Sequence, residues 1–304
     1  MIDFQEVLDS IFLSATANND KGTIATYIPE LAHIDKDKFG ICLIDNTGKS
    51  YQVGDAHERF SIQSISKVLS LSMAFQILGE DLWKRVGVEP SGDPFNHLSL
   101  LEMEQGIPRN PLINAGAIVI ADVLVSQLKN PKVDFLAYVR KLANDTTLVY
   151  DLDVAESEKQ TGFRNYAAAN LIKSFGNLEN PVEEVLDFYF HACALSLSCV
   201  QLAKVFYLFS NRGICLQNQQ YLNLHQIKRI NAIMLSCGFY DEAGEFAFKV
   251  GLPGKSGVGG GIVALLPDQF CVATWAPGLN KKGNSKLGMQ VLEDLTTRIG
   301  RSIF

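Results

Sequence analysis

Residues 39–55 read FGICLIDNTGKSYQVGD and decide the fold. Two short apolar runs flank a turn at residues 46–49, where Gly48 can supply a positive φ, and this pattern predicts a β-hairpin. Three more strand-like stretches, EFAFKVGL, GGIVALLP and FCVATWAP, lie within residues 245–277, near the other end of the chain. Strands at both ends with helices between them predict an α/β (α+β) fold, in which helices flank one antiparallel sheet.

The segment between the two strand regions has a helical pattern. Apolar residues recur there at helical spacing in seven stretches: SIQSISKVLSLSMAFQILGE, AGAIVIADVLVSQL, VDFLAYVRKLAND, RNYAAANLIKSFG, PVEEVLDFYFHACAL, SCVQLAKVFYLFSNRG and LHQIKRINAIMLSCG. Residues 1–20 and the closing stretch SKLGMQVLEDLTTRIG predict two further helices. We therefore expect an α/β sheet lobe from residues 1–58 and 200–304, a helical lobe from residues 59–199, and an active site in the cleft between them.

Composition and charge exclude several classes of partner. The 304 residues are 47% hydrophobic and 20% charged, with a net charge of −6. A nucleic acid or an anionic membrane surface would require a basic stripe, which the sequence lacks, so neither is expected as a partner. The N-terminal stretch MIDFQEVLDSIFL carries acids where a secretory signal has cations, and no apolar run reaches membrane-spanning length. We therefore expect a cytoplasmic protein.

The cysteines and histidines do not form a predicted metal site. Six cysteines lie in apolar surroundings without a C-x-x-C pair, which indicates buried, reduced thiols. The five histidines are isolated, with no H-x-x-x-H pair. We therefore expect neither a metal ion nor a cofactor.

The stretch QSISKVL, residues 63–69, places Ser64 three residues before Lys67 at the start of an apolar helix. Burial would lower the pKa of Lys67, and a neutral lysine on the same helix face could take a proton from a serine hydroxyl. An ordinary polar pair at a helix start is the alternative interpretation. The same spacing recurs at Ser126 and Lys129, where a polar loop follows and Lys129 reads as a solvated cation.

A second motif lies in GLPGKSGVGGGIV. A phosphate-binding loop is excluded because the glycine it requires is replaced by Lys249, and because the motif leads into a strand rather than a helix. The triplet at residues 255–257 instead fits the pattern K-[ST]-G. An S-x-x-K motif followed by K-T-G is typical of penicillin-recognising serine hydrolases. Their third motif, S-D-N, is absent from this sequence.

Several polar side chains occupy positions that an apolar core would not favour. Taken singly, each is explained by a helix cap, a turn or packing. They are Asn114 in RNPLINAGAI, Glu158 and Asn165 in ESEKQTGFRNY, Tyr189 in DFYFHAC, Tyr240 in CGFYDEAGEF, and Tyr27 in ATYIPELA.

Together these stretches resemble the bacterial-type serine-dependent glutaminases. The matching stretches run, in the family's order, from YIPELA through FSIQSISKV, RNPLINAGAI, ESEKQTGFRN, LDFYFHAC and SCGFYDEAGEFAF to GLPGKSGVGGGI. The resemblance implies a β-lactamase/transpeptidase-like fold and hydrolysis of L-glutamine to L-glutamate and ammonia. It also accounts for the missing S-D-N motif, because these enzymes place a tyrosine near the serine–lysine pair instead.

The resemblance also implies the catalytic residues. Ser64 would be the nucleophile that forms an acyl-enzyme, and Lys67 its base. Tyr189 and Tyr240 would relay protons, while the backbone N–H groups of Ser64 and Val258 would form the oxyanion hole. All of these except Lys67 would also contact the substrate.

The remaining polar residues would bind the amino-acid head group of the substrate. By resemblance, Glu158 supplies the anion for the α-ammonium group. Asn114, Asn165 and Tyr27 supply donors for the α-carboxylate, and Gln63 is a further contact. The resemblance implies no cofactor, and it implies a homodimer or a homotetramer.

Two other kinds of function remain possible on the sequence alone. One is a related β-lactamase, peptidase or esterase on the same scaffold, against which the absent S-D-N motif and the absent export signal argue. The other is a non-catalytic amino-acid-binding or scaffold protein, against which the intact Ser64 and Lys67 pair argues. Ammonia release from glutamine discriminates among them.

Overall fold

The hairpin predicted at residues 39–55 is present and forms one side of a sheet in the computed structural model, which describes residues 2–18, 20–26, 28–91 and 98–304. The strands found in these residues are β1 (Gly40–Asp45), β2 (Ser50–Gly54), β3 (Phe60–Ser61), β4 (Val149–Tyr150), β5 (Leu195–Leu197), β6 (Gly254–Ser256), β7 (Gly261–Leu266) and β8 (Phe270–Trp275).

Five of the strands form one antiparallel sheet, in the order β2-β1-β8-β7-β6. The N-terminal hairpin joins the C-terminal strands through β1 and β8, where Leu43 pairs with Val272. Strands β1, β7 and β8 are buried along their whole length, which requires that both faces of the sheet be covered. The prediction of one antiparallel sheet built from both chain ends is therefore confirmed.

Helices cover the sheet and form the rest of the fold. Those found in the described residues are α1 (Phe4–Thr16), α2 (Ser66–Leu78), α3 (Ser99–Met103), α4 (Asn114–Gln127), α5 (Pro131–Ala143), α6 (Leu152–Thr161), α7 (Phe163–Ser174), α8 (Val182–Cys193), α9 (Cys199–Ser210), α10 (Leu224–Cys237), α11 (Ala243–Lys249) and α12 (Lys286–Ile299).

The two faces of the sheet belong to different apolar clusters. On one face, Leu8 of α1 and Leu292 of α12 pack with Val272 in a cluster that also contains residues of α11. On the other face, Phe206 of α9 packs with Ala273 in a larger cluster that continues through α2, α4, α5 and α8. Successive side chains of β8 point to opposite faces of the sheet, so they pack against both helical layers.

One predicted strand is wrong. EFAFKVGL was expected to be extended, but residues 243–249 form α11, and the strand lies further along the chain in β6. Phe246 and Phe248 are two residues apart, and this spacing resembles the alternating pattern of a strand. In the helix, Phe246 is buried and Phe248 is 89% exposed. An ion pair between Glu245 and Lys249, four residues apart, stabilises the helix.

A second sheet was not predicted. Strands β3, β5 and β4 pair in that order, and Phe60 lies opposite Leu197. These strands have only two or three residues each, so they carry no periodic signal. They nevertheless matter for the site, because β3 leads directly into the segment that carries Ser64.

Candidate active site

Ser64 lies in a short 3₁₀ turn, Gln63–Ile65, that runs straight into α2. The sequence predicted one continuous helix here, whereas Gln63 has a φ of 51° and breaks its start. The Ser66 hydroxyl donates to the carbonyl oxygen of Gln63 at 2.7 Å and satisfies it. Ser64 is therefore held at the N-terminal end of a buried helix, where it is only partly buried.

Lys67 follows one turn later and is 2% exposed. Its ammonium group donates to Oδ1 of Asn114 at 2.6 Å, and the amide nitrogen of Asn114 donates to Oδ1 of Asn165 at 2.9 Å. The ammonium also lies 6.0 Å from the ring centroid of Tyr189. Burial lowers the pKa of Lys67 to about 8, although Glu158 nearby counters part of that shift. A minor neutral fraction, about a tenth at pH 7, is thus present, and it can act as a general base.

Glu158 lies in α6 and is buried without a complete set of partners. Its Oε1 atom accepts no hydrogen bond within the described part of the chain. Burial raises the pKa of this carboxyl to about 7, and the Gln63 side chain and Lys67 limit the rise. An unpartnered buried carboxylate is costly unless a cation pairs with it, so this position suits a positively charged ligand group.

The two tyrosines approach the serine–lysine pair from different elements. Tyr189 lies in α8, and burial raises the pKa of its hydroxyl well above the ordinary value. Tyr240 begins the 3₁₀ turn Tyr240–Glu242 with a φ of 55°. Burial raises the pKa of its hydroxyl to about 12, and the hydroxyls of Ser64 and Ser256 counter part of that rise. Both phenols are therefore protonated in the free protein at neutral pH and can donate.

The turn after β6 packs against the backbone beside Ser64. A Cβ atom placed on Gly257 would stand 2.5 Å from the carbonyl oxygen of Ile62, and one on Gly259 would stand 2.3 Å from that of Ser61. Val258 lies between these two glycines and is 7% exposed. Glycine at both positions therefore allows the turn to carry the Val258 backbone close to the Ser64 turn.

A second buried lysine lies in the same region. Lys255 of β6 is fully buried, and its ammonium group donates to the Ser256 carbonyl at 2.6 Å. The ammonium lies 4.4 Å from the ring centroid of Tyr240. Burial and the charge of Lys67 hold the pKa of Lys255 well below its usual range. The K-[ST]-G pattern indicates a functional segment here, but the sequence predicts no role for the Lys255 side chain.

The structure brings most of the predicted residues together. Linked by contacts or charge interactions are Ser64, Lys67, Gln63, Asn114, Glu158, Asn165, Tyr189 and Tyr240. Tyr27 lies outside the described residues. The sequence missed Cys193, which is buried against Lys67 and Glu158, and whose thiol pKa burial raises to about 12. A lone cysteine in an apolar helix gives no signal that separates it from other core thiols.

Neither a metal centre nor a membrane-spanning helix is found in the described residues. In the described parts of the chain, no three His, Cys, Asp or Glu side chains come together as a group that could hold a metal ion. Nor does any helix within residues 2–18, 20–26, 28–91 and 98–304 combine the length and apolar character needed to cross a membrane.

Comparison with known proteins agrees with this arrangement. The sequence model of the glutaminase family matches residues 22–304. A glutaminase of Christiangramia forsetii is 54% identical over 304 residues, which are all of this chain and all of that protein. A glutaminase of Agrobacterium fabrum is 50% identical over 307 residues, covering 100% of this chain and 99% of that protein.

Solved structures show the same fold. The probable glutaminase YbaS superposes with a TM-score of 0.93 at 32% identity, covering 99% of this chain and 97% of that one. A probable glutaminase of Bacillus subtilis superposes with a TM-score of 0.87 at 30% identity, covering 99% and 96%. The antiparallel sheet between helical layers is thus that of the β-lactamase-like hydrolases. The chain belongs to the glutaminase family, and it is an amidohydrolase.

Proposed function

We propose that this protein hydrolyses L-glutamine to L-glutamate and ammonia through an acyl-enzyme intermediate on Ser64. One observation carries the proposal: Lys67, one turn after Ser64, and Glu158 are both buried and attract each other electrostatically, and burial moves the pKa of each toward neutrality. A base and an anionic anchor are the two groups that amide hydrolysis on an amino-acid substrate requires. Opposed pKa shifts of this size are typical of functional sites.

In the first half of the reaction, Ser64 attacks the γ-carboxamide carbon while Lys67 takes the serine proton. The backbone N–H groups of Ser64 and Val258 donate to the tetrahedral oxyanion. As the C–N bond breaks, the proton that Lys67 took passes to the departing nitrogen, ammonia leaves, and Lys67 is neutral again. Tyr189 and Tyr240 are protonated at neutral pH and are the groups through which this proton is relayed.

In the second half, a water molecule attacks the acyl-enzyme and glutamate leaves. The water loses a proton to Lys67, a tetrahedral intermediate forms again, and the bond to the Ser64 oxygen breaks as that oxygen regains a proton. The same oxyanion donors serve both halves. The sum of the two halves is one water consumed and one ammonia released, with no cofactor.

The proposed substrate contacts use polar atoms of the site that can still form hydrogen bonds. The Oε1 atom of Glu158 is available to accept from the α-ammonium of glutamine. Asn114 binds Lys67 through its oxygen and Asn165 through its nitrogen, so the Asn165 amide nitrogen can donate to the α-carboxylate. Asn114 and Tyr27 are the other proposed donors to the α-carboxylate, and Gln63 is a further proposed contact. A related protein, Mglu, has been solved in its glutamate form; it superposes with a TM-score of 0.93 at 32% identity, covering 100% of this chain and 70% of that chain.

The proposed site lies where two parts of the chain meet. Residues 59–199 contribute Ser64, Lys67 and the head-group contacts, whereas residues 200–304 contribute Tyr240 and Val258. We propose that residues 1–58 and 200–304 act as a sheet lobe against a helical lobe of residues 59–199. On this division the substrate enters the cleft between them.

Ammonia release tests the proposal directly. The wild-type protein and Ser64→Ala are assayed with glutamine and with asparagine. We expect release from glutamine by the wild type and a loss of at least about 10³-fold in kcat for Ser64→Ala. Ser126→Ala is the matched control, because Ser126 has the same spacing to a lysine but is exposed on α4.

Two results would contradict different parts of the proposal. If the wild type releases no ammonia from glutamine, the assigned reaction is wrong. If Ser64→Ala keeps full activity while the wild type is active, the reaction stands but the acyl-enzyme on Ser64 does not.

A further inference from the structure

Strand β6 lies at the edge of the five-stranded sheet and leads into residues 257–260, the oxyanion turn, which contains Val258. The Ser256 N–H donates to the Gly238 carbonyl oxygen at 3.3 Å, on the side away from β7. In an extended strand the carbonyl of a residue points to the same side as its N–H, so the Ser256 carbonyl also turns away from β7. The Lys255 amine donates to this carbonyl oxygen at 2.6 Å. Both residues are 0% exposed, so the carbonyl depends on a protein donor.

Lys255 thereby holds the peptide group that leads into the oxyanion turn. The Ser256 carbonyl and the Gly257 N–H belong to this one planar group. Lys255 binds its carbonyl end, and the Gly257 N–H donates to the Gly261 carbonyl oxygen at 3.0 Å. With both polar atoms engaged, the peptide cannot rotate without breaking a buried hydrogen bond, which is costly.

The orientation of the next peptide sets the direction of the proposed oxyanion donor. The Gly257 carbonyl oxygen accepts from the Gly260 N–H at 3.0 Å. In a trans peptide the N–H points opposite to the carbonyl, so the Val258 N–H points away from Gly260. Gly257 joins this peptide to the one that Lys255 holds, and glycine has no Cβ atom to restrict rotation between them. The direction of the Val258 N–H therefore depends on the Lys255 contact.

The same amine lies against the ring of Tyr240. The Lys255 nitrogen is 4.4 Å from the ring centroid, within the range of attraction between a cation and an aromatic face. A neutral amine keeps N–H groups that can serve both contacts, so neither contact requires the charge. Gly238, which accepts from the Ser256 backbone, lies two residues before Tyr240. Lys255 therefore joins the oxyanion turn to the segment that carries Tyr240.

We propose that Lys255 is a positioning residue that fixes the oxyanion turn relative to Tyr240. With its donor in place, the Val258 N–H is held where the tetrahedral oxyanion forms. Without that donor, the buried Ser256 carbonyl loses its partner, and the peptide rotates toward another one, which turns the Val258 N–H out of line. The inference rests on the proposed function, because it takes the Val258 N–H as an oxyanion donor.

Kinetics of Lys255→Met test the inference. Methionine removes the donor but keeps an unbranched side chain of similar length. We expect kcat for glutamine to fall about 10- to 100-fold with KM unchanged within about twofold, because an oxyanion donor acts mainly in the transition state. The melting temperature should stay within about 4 °C of wild type, since the loss of a buried amine offsets the loss of its hydrogen bond.

A transition-state analogue gives a readout that a purely structural role would not move. The probe is the boronic acid in which boron with two hydroxyl groups replaces the carboxamide of glutamine. The Ser64 oxygen adds to the boron, Lys67 takes the serine proton, and the tetrahedral adduct places a boron-bound oxygen in the oxyanion hole. Lys255→Met should weaken inhibition by this boronate about as much as it lowers kcat/KM, and inhibition by glutamate by less than about twofold.

Two further variants complete the test. Lys249→Met is the matched control, because it makes the same substitution at an exposed position of α11, where Lys249 pairs with Glu245. Its kcat and both inhibition constants should stay near wild type. If Lys255→Met does not fold, Lys255→Gln takes its place, since glutamine keeps an N–H donor on a side chain one bond shorter. It should show a smaller loss of kcat with the same contrast between boronate and glutamate.

The outcomes are distinguishable. Wild-type kcat in Lys255→Met, or equal weakening of boronate and glutamate inhibition, would overturn the inference. A loss confined to kcat and boronate binding, at a nearly unchanged melting temperature, supports it. A wild type that releases no ammonia from glutamine would instead refute the proposed function.

Discussion

At the scale of single residues, the central feature is that two ionisable groups of opposite sign are buried together. Burial moves the pKa of Glu158 up to about 7 and that of Lys67 down to about 8, while their mutual attraction counters part of each shift. Because the two groups interact, the steps in a titration belong to the pair as well as to each residue. The site therefore changes its charge state within the range in which enzymes work.

This pair predicts a pH dependence of activity. Under the proposed function, Glu158 must be ionised to bind the α-ammonium and Lys67 must be neutral to act as base. Both conditions are met as pH rises, so kcat/KM should increase in two steps between about pH 6 and about pH 9. Steady-state kinetics over that range, with ammonia as the measured product, gives the profile.

Glu158→Gln separates the two steps. The amide keeps the shape of the carboxyl but does not titrate, so the lower step should disappear while the upper one remains. KM for glutamine should rise about 10- to 100-fold, the loss expected for a charge-assisted hydrogen bond. A two-step profile retained in Glu158→Gln would show that another group causes the lower step.

The sequence could indicate these residue types but not their environment. S-x-x-K occurs twice, and only the apolar neighbours of Lys67 favoured one site over the other. The structure adds what separates them: Lys67 is 2% exposed and hydrogen-bonded to Asn114, whereas Ser126 lies at an exposed position on α4. Contacts between residues this far apart in sequence leave no local pattern, so the burial of Glu158 could not be predicted.

At the scale of elements, the long periodic segments were predictable and the short ones were not. The hairpin β1–β2, strands β7 and β8, and the helices of twelve or more residues follow from periodicity over many residues, whereas the ten-residue α6 was not predicted. The 3₁₀ turn at Gln63–Ile65 and the two-residue strand β3 are too short to leave such a signal. They are fixed instead by tertiary contacts, among them the pairing of β3 with β5.

The glycines after β6 make a prediction about that turn. In Gly257→Ala, the new Cβ atom would stand 2.5 Å from the Ile62 carbonyl oxygen, so the turn must move away from Ser64. We expect kcat to fall about 10- to 100-fold and the free energy of unfolding to fall by about 1–3 kcal/mol. Kinetics with glutamine and urea unfolding measure the two effects.

Gly244→Ala is the matched control for that turn. Gly244 lies in α11, and a Cβ atom there would meet nothing within 4 Å. Alanine should therefore leave kcat unchanged and stabilise the helix by up to about 1 kcal/mol. Wild-type kcat in Gly257→Ala would mean that the close packing of the turn on the Ser64 segment does not matter for catalysis.

At the scale of the whole molecule, the fold buries ionisable groups where it could have placed apolar ones. Lys67 and Lys255 are among the largest fully buried side chains, and neither has a carboxylate within ion-pair distance among the described residues. Burial of such groups opposes folding, and the cores on both sides of the sheet must offset it. Activity and stability are thus in conflict at this site, as is common for enzymes.

The pH dependence of stability tests this conflict. The pKa of Glu158 is about 7 in the folded state against an ordinary value of 4.5, so the folded state binds the proton more tightly. Stability should therefore fall as pH rises from about 4.5 to about 7, by on the order of 2–3 kcal/mol from this group alone.

Glu158→Gln does not titrate, so its stability relative to the wild type should rise over that window and level off above it. Urea unfolding at about pH 5 and about pH 8 measures the difference, and Glu156→Gln, on the exposed side of the same helix, should show none. Parallel pH dependences of wild type and Glu158→Gln would show that the buried carboxyl does not oppose folding.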